Sequence, residues 1–457
     1  MKAYFKQFRF SYWLIRSFLS KHLRIIIVVC VGAFLFMFFS GTIFNFISVV
    51  FTINKQTVGL VVPPTGNGLP PEILRRVSRS LMGYSSEGKL FPQLAQRVTM
   101  SQNGKVYDII LKKDLTWQDG RQFTAYTIPD KLLNFDRTKK QIIDERTIRF
   151  TLDVDRPPST FPTLLTAPLV TEKLVGVEGE YSLRSIKYRF GELESVILAP
   201  QKRGAPVLQY RLYKNQDDVV LGYKLGEINE FSTYTKSVAD EFQTWRNTKV
   251  SRIVDVKKIT TLFINTQRPP LDNRTVRQSI AQSMNYPELE EHGVRAYTSI
   301  LPFSWAYNKD IVTYNYEAEI ARGRIKESSA NGTKLVFYSS YDLHDIAEAV
   351  ELYLEDVGFD VDLRYTNYTP VDYDLYLVIV EPDIDPDQYI FWHSSRKIEP
   401  NFSKLNNVKI DNALERGRLE FSENKRKEFY YKFQETLAEE VPAVFLYYPY
   451  LYVVDRK

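Results

Sequence analysis

Cysteine is all but missing. Cys30 stands alone in 457 residues, so no intrachain disulfide and no thiolate metal cluster can form. Histidine is nearly as scarce: His22, His292, His344 and His393 are scattered, without a His-Glu-x-x-His or other metal-ligand spacing. No Gly-x-Ser-x-Gly elbow and no phosphate-cradling glycine loop occurs. Paired carboxylates for glycoside hydrolysis need only meet in space, and nothing in the chain points to them. The expectation is a protein that is not an enzyme, with no catalytic residue, no metal ligand and no cofactor. Acidic residues are missing from the N-terminal segment, where Glu72 is the first. Six of the 60 basic residues (Lys2, Lys6, Arg9, Arg16, Lys21 and Arg24) fall within the first 24 residues, and setting them aside leaves 54 against 55 acidic ones. The net charge of +5 is therefore local, and the rest of the chain offers no basic stripe for nucleic acid. Lack of disulfides does not exclude an extracellular location, because a chain this long can bury enough core without them.

What is present is a long chain of ordinary polarity, 44% hydrophobic and 25% charged, which fits two or three folded domains rather than disorder. Aromatic residues are in surplus, with 30 Tyr and 29 Phe. Tyrosine suits both a wet cleft and a β-rich core. Ile25–Phe51 is a run of 27 residues without a charge, long enough to span a bilayer. Basic residues crowd its N-terminal flank, which places the N-terminus in the cytoplasm and the bulk of the chain outside, on the periplasmic face of a single-pass anchor. The run is too long for a signal peptide, lacks a small-residue cleavage site, and Val29 before Cys30 does not suit a lipoprotein anchor. Phe8 to Leu23, mixing aromatic and basic residues, reads as an interfacial helix.

Past a Pro/Gly/Thr-rich linker, the pattern predicts a strand at Val58 to Val62 and a helix from Leu69 to Met82 with Pro70 and Pro71 at its start. Residues 105–112 read as a strand. Ile148, Phe150, Leu152 and Val154 alternate as another, joined to Gln141 to Ile143 by a turn at Asp144-Glu145. Later the chain changes character. Lys334 to Ser339, a helix carrying Ile346, Val350, Leu354 and Val357, and a strand with Val361, Leu363 and Tyr365 make a β-α-β unit over a parallel sheet. The strand Leu375 to Val380 runs into an acidic loop, Glu381-Pro-Asp-Ile-Asp-Pro-Asp387. Ligands of open α/β sheets bind beyond the carboxyl ends of strands, which makes this loop a candidate site. A helix near Glu423 to Glu439 and a strand Ala443 to Tyr448 close the chain.

Four segments resemble one family in order and spacing: Leu90 to Ile128 (LFPQLAQRVTMSQNGKVYDIILKKDLTWQDGRQFTAYTI), Ile259 to Asn285, Leu375 to Ser395, and residues 425–449. They are similar to the oligopeptide- and dipeptide-binding proteins of ABC importers, the family 5 extracellular solute-binding proteins. The resemblance implies a two-lobed α/β periplasmic-binding-protein-like fold (type II, cluster C-like) with a small extra subdomain, preceded here by one transmembrane helix. It divides the chain into a cytoplasmic segment 1–24, an anchor 25–51, lobe I at 52–88, 165–257 and 441–457, the subdomain at 89–164 and lobe II at 258–440. Strands near Ile259 to Asn265 and Ala443 to Tyr448 become the hinge crossings, and Trp117 a structural residue of the subdomain. The implied function is hinge-closure capture of a peptide, or another small solute, for an importer permease in the membrane. The alternatives are a binding-protein-like sensor or scaffold and a tethered extracellular hydrolase.

A buried ligand ammonium needs a carboxylate partner, and Glu381, Asp383 and Asp385 are the candidates. The family often places that carboxylate three residues before the Asp of Asp-Pro, which here is Pro382, so Glu381 or Asp383 takes the role by a one-residue shift. Asp383, Asp385 and Asp387 begin like a calcium loop, but Gln388 and Ser394 stand where Gly and a bidentate Glu are required. Trp392, Trp305 and Tyr307 are candidate cleft walls, with core packing as the alternative for each.

Overall fold

The computed structural model describes residues 12–13, 16–23, 55–62, 69–101, 104–153, 158–395 and 400–457. The predicted span Ile25–Phe51 lies outside these, and among the described residues no helix is long and apolar enough to cross a membrane. Residues 16–23, inside the expected interfacial stretch, are helical and largely exposed. Gln56–Arg203 together with Leu208–Lys457 forms one compact unit, whose architecture follows.

Strand β1 (Lys55–Val61) leads into a helix that covers only Pro71–Val77, shorter than the pattern predicts. It ends because Ser78 turns extended and donates its hydroxyl to the Leu169 carbonyl at 2.6 Å, while Ser80 pairs with Pro168. Gly179 makes this approach possible, since a Cβ there would sit 1.9 Å from the Val77 carbonyl oxygen. A hairpin of β2 (Met82–Tyr84) and β3 (Leu90–Pro92) follows. Then β4 (Ala95–Met100), β5 (Val106–Leu111), β6 (Thr138–Ile142) and β7 (Thr147–Leu152) form an antiparallel sheet in the order β4-β5-β7-β6. Ile148, Phe150 and Leu152 alternate into its core as their period requires. Trp117, 1% exposed, packs edge-on against Phe123, and its indole N–H donates to Thr127 Oγ1 at 3.2 Å.

The chain returns to β1 through β8 (Tyr181–Arg189), β9 (Glu192–Pro200), β10 (Val207–Tyr213) and β11 (Glu230–Thr233), with β11 parallel to β1. Helices Gln216–Lys224 and Lys236–Gln243 cover β11 through Tyr223, Phe231 and Phe242. The C-terminal half of the sheet holds β13 (Ile259–Ile264), which follows β12 (Thr248–Val254), and β14 (Gly293–Arg295). It continues with β15 (Lys334–Ser339), helix His344–Asp356, β16 (Asp360–Tyr365) and β17 (Leu375–Val380). β15 lies parallel to both β16 and β17, and β17 is antiparallel to β13. Gly358, at φ 110°, ends the intervening helix.

The closing strand β18 (Ala443–Arg456) reaches well beyond the predicted Ala443 to Tyr448, because it serves both halves. Its first residues pair with β13, and its last pair with β11 and β12. β12 and β13 thus lie one after the other along β18. They are interrupted at Asp255–Lys258, where the Asp255 N–H still donates to the Pro449 carbonyl. The C-terminal half packs Leu335, Phe337, Ile346, Val350 and Leu354 in one core and Phe263, Tyr376, Trp392, Tyr430 and Phe433 in another. Replacing Trp117 with Ala should cost about 3–5 kcal/mol in a urea unfolding titration; a loss under about 1 kcal/mol would show that the indole is not a core element.

Candidate functional site

β17 delivers the acidic loop at the edge where chain segments from both halves meet. Within the loop the carboxylates divide. Asp385 is buried and held by Arg426 of helix Glu423–Glu440 in a bidentate pair, Nη2 to Oδ1 at 2.8 Å and Nη1 to Oδ2 at 3.2 Å. The guanidinium is completed by the Gly417 carbonyl at 3.1 Å and the Tyr430 hydroxyl at 3.1 Å. Burial alone would lower the Arg426 pKa, but Asp385 and Tyr430 hold it above its ordinary value. Asp387 meets Arg418 Nε at 2.9 Å. Burial nevertheless pushes its carboxyl up, against the pull of that cation. Glu381 and Asp383 have no ion-pair partner among the described residues. The Asp383 side chain reaches solvent, yet surrounding protein first, and then the like charges of Asp385 and Glu381, raise its pKa above the usual carboxylate range.

Two tyrosines from the N-terminal half meet this loop. Tyr84 faces the loop, and burial followed by the charges of Asp385 and Asp383 raises the pKa of its hydroxyl. Tyr234, just past β11, donates to Asp255 Oδ2 at 2.8 Å, with Lys258 Nζ 4.9 Å from its ring centre. Burial, then Asp255, then Glu381 push its hydroxyl up. The halves also touch directly on both flanks. Ser159 Oγ donates to the Arg418 carbonyl at 2.6 Å and Lys89 faces Glu423 at 3.5 Å. On the other flank Thr235 Oγ1 donates to the Asp342 carbonyl at 3.3 Å.

Of the six residues singled out from sequence, Glu381 and Asp383 remain as unpaired carboxylates at the meeting edge. Asp385 is placed in the loop but spent on Arg426, so it anchors the loop and leaves no charge for a ligand. Trp392, 1% exposed, packs against Phe263 and Phe445 in the core, and its assignment as a cleft wall is not carried forward. Trp305 is half-buried, edge-on to Tyr430 at 6.1 Å with the Arg426 guanidinium 5.2 Å from its ring centre, so it supports the anchor. Tyr307 is half-buried beside Tyr448, and its carbonyl accepts from the Tyr431 hydroxyl. Sequence reasoning missed Tyr84, Tyr234, Asp255 and Arg426. A cavity of about 40 Å³ lies apart from all of these, between Tyr286, Arg295, Tyr314, Leu437 and Val444. Among the described residues no group of three or more His, Cys, Asp or Glu side chains is placed to hold a metal ion.

Residues 205–400 match the family model described as bacterial extracellular solute-binding proteins, family 5, middle. The dipeptide-binding protein of Escherichia coli is 22% identical over 81% of this chain and 83% of its own length. The oligopeptide-binding protein AppA of Bacillus subtilis is 22% identical over 54% and 52%. Among solved structures, NikZ from Campylobacter jejuni in complex with Ni(L-His) superposes with a TM-score of 0.72 at 19% identity, over 89% of this chain and 94% of that one. AppA from Bacillus subtilis in complex with a nonapeptide does so with 0.68 at 17% identity, over 88% and 94%. These likenesses establish the two-lobed α/β periplasmic-binding-protein-like fold.

The divided carboxylates give opposite expectations. Asp385→Asn or Arg426→Met breaks a buried pair and should cost about 3–5 kcal/mol of stability. Asp383→Asn removes a group whose folded pKa lies above its unfolded one, so its charge opposes folding only above that range. That substitution should raise the melting temperature at neutral pH and leave it unchanged in acid, below both pKa values. Equal destabilisation by all three changes would refute the division.

Proposed function

We infer that this chain, which belongs to the family 5 bacterial extracellular solute-binding proteins, captures an amine-bearing solute between its lobes and delivers it to an ABC-type importer. A peptide is the leading candidate. The observation that carries this reading is Asp383: in a loop whose neighbouring aspartates are neutralised by arginines, it is left without a cation at the edge where both lobes meet. A ligand ammonium would supply the missing charge and bring the raised pKa down, so binding and deprotonation of Asp383 support each other. Glu381 is the second carboxylate within reach, and Tyr84 and Tyr234 offer rings and hydroxyls from the opposite lobe.

Capture works by population shift. Contacts from both lobes to one ligand favour the form in which the lobes meet, and a ligand without such differential contacts would shift nothing. No covalent step is required. Residues 25–51 serve as the membrane anchor in this reading, which keeps the binder near a permease at high effective concentration. The importer partner follows from the family resemblance. The peptide follows from the relatives, including DppA from Helicobacter pylori in complex with the peptide STSA.

A thermal-shift and calorimetric screen of the purified chain against pooled peptides, metal chelates and sugars tests the proposal. A peptide at a hundred times its Kd should stabilise the fold by about 2.7 kcal/mol. Asp383→Asn should weaken binding about tenfold or more, a loss of about 1.4 kcal/mol. Affinity of the native chain should fall as the pH is lowered through the raised Asp383 pKa, while that of the Asn variant stays flat. A hit confined to chelates or sugars would retain capture and replace the ligand. Silence in a folded protein would favour the sensor or scaffold reading.

A further inference from the structure

The end of the N-terminal lobe opposite the Tyr234 loop has a composition of its own. Backbone hydrogen bonds define this end: Asn229 N–H to Thr57, Arg456 N–H to Asn229 and Lys457 N–H to Asn247, each at 2.8–2.9 Å. Gln56, where the chain enters the compact unit, therefore lies level with Asn247 and Lys457. The turn after β9 belongs here too. β9 is antiparallel to β10, and the far end of β10, at Tyr213, is bonded to Val62 at the opposite end of β1.

Four exposed cations occupy this end: Lys202, Arg203, Arg246 and Lys457, none with an ion-pair partner among the described residues. Of the nearby carboxylates, Glu227 is matched by Arg211 at 2.6 Å and Glu241 by Lys224 at 2.7 Å, Asp455 lies opposite Lys249 across β12 and β18, and Glu230, on the other side of Asp455, accepts from the Gln56 side-chain amide. Beside the cations, the helix Gln216–Lys224 and its end expose Leu221 at 54% and Leu225 at 67%. Unmatched cations next to exposed leucines form a surface suited to an anionic lipid interface, where the charges meet headgroups and the leucines leave water.

Chain connectivity names the same occupant. The predicted span ends at Phe51, five residues before Gln56, and five residues reach at most about 18 Å when fully extended. The chain therefore enters the compact unit at this end. We propose that this end of the lobe rests on an anionic membrane surface, with Lys202, Arg203, Arg246 and Lys457 at the headgroups and Leu221 and Leu225 entering the interface. The inference depends on the anchor assigned to residues 25–51. It deepens that reading by fixing an orientation: the meeting edge of the lobes stands away from the bilayer by roughly the length of β1, about 23 Å.

The test uses the full chain with Cys30→Ala, carrying a single dye-labelled cysteine at Leu225 or at Val371, which is 85% exposed on the other lobe. Each form is reconstituted into vesicles containing headgroup-quencher lipids, either rich in phosphatidylglycerol or purely zwitterionic. In anionic vesicles the Leu225 dye should be quenched about threefold more than the Val371 dye. That difference should vanish in about 0.5 M salt, in zwitterionic vesicles, and when all four cations are changed to Glu. Equal quenching at the two positions, or quenching indifferent to lipid charge, overturns the proposal. Flotation after an alkaline wash separates the two layers of the argument. A chain that co-floats with its Leu225 dye unquenched keeps the anchor and loses this orientation; a chain that does not co-float loses both.

Discussion

Strand β18 must satisfy the hydrogen-bonding groups of a 14-residue strand while passing from one half of the sheet to the other. A buried backbone group without a partner is costly, so the neighbours of β18 are not free to lie anywhere. β13 takes its first residues, β12 and β11 its last, and the bond from Asp255 to Pro449 carries the pairing through the interruption between β12 and β13. The position of the acidic loop follows from this arrangement. β17 pairs with β13 up to Val380 opposite Ile259, so Glu381 emerges level with Lys258, beside the crossing and facing Tyr234. The site is placed by the crossing strands before any of its own side chains act.

Electrostatics then sort the loop. Three aspartates at alternate positions would repel one another if all were exposed and ionised. The fold answers by covering two with arginines from the adjacent helices, Asp385 with Arg426 and Asp387 with Arg418. Arg426 spends every nitrogen in doing so, on Asp385, Gly417 and Tyr430. Four hydrogen bonds from the guanidinium support the pair, which approaches the condition under which a buried ion pair is tolerated. In the proposed capture, its role is to hold the loop in place while Asp383 stays unmatched.

The β-α-β unit of the C-terminal half was legible nearly to the residue. Lys334–Ser339 and Leu375–Val380 are short apolar runs, and the helix before Gly358 carries a regular buried face. The helix after Pro70 was overread, because Ser78 to Met82 is acceptable helix sequence and only contacts with residues some 90 positions away pull it extended. The long β8–β9 hairpin left little trace, since its outer half mixes charged residues with exposed aromatic ones, Tyr188 and Phe190, and so shows no clean alternation. At the site, the sequence offered three carboxylates but not their division: the residue that removes Asp385 lies 41 positions downstream. Tyr84 and Tyr234 are single aromatic residues in a tyrosine-rich chain, and no local pattern sets them apart. The predicted span falls outside the described residues.

The paired crossing of β12–β13 along β18 also limits how one half can move against the other. Sliding the strands by a residue would turn every core side chain to the wrong face, so translation along the ribbon is closed off. Splaying them would strand backbone donors and acceptors. What the pairing leaves open to the proposed closure is a rotation about the interrupted stretch at Asp255–Lys258, close to a single mechanical coordinate. A device with one coordinate cannot adjust its width and its tilt independently. If the halves close on a solute as proposed, a bulkier one would have to be accommodated at a different angle, and anything reading that angle from outside would sense the size of the cargo without touching it.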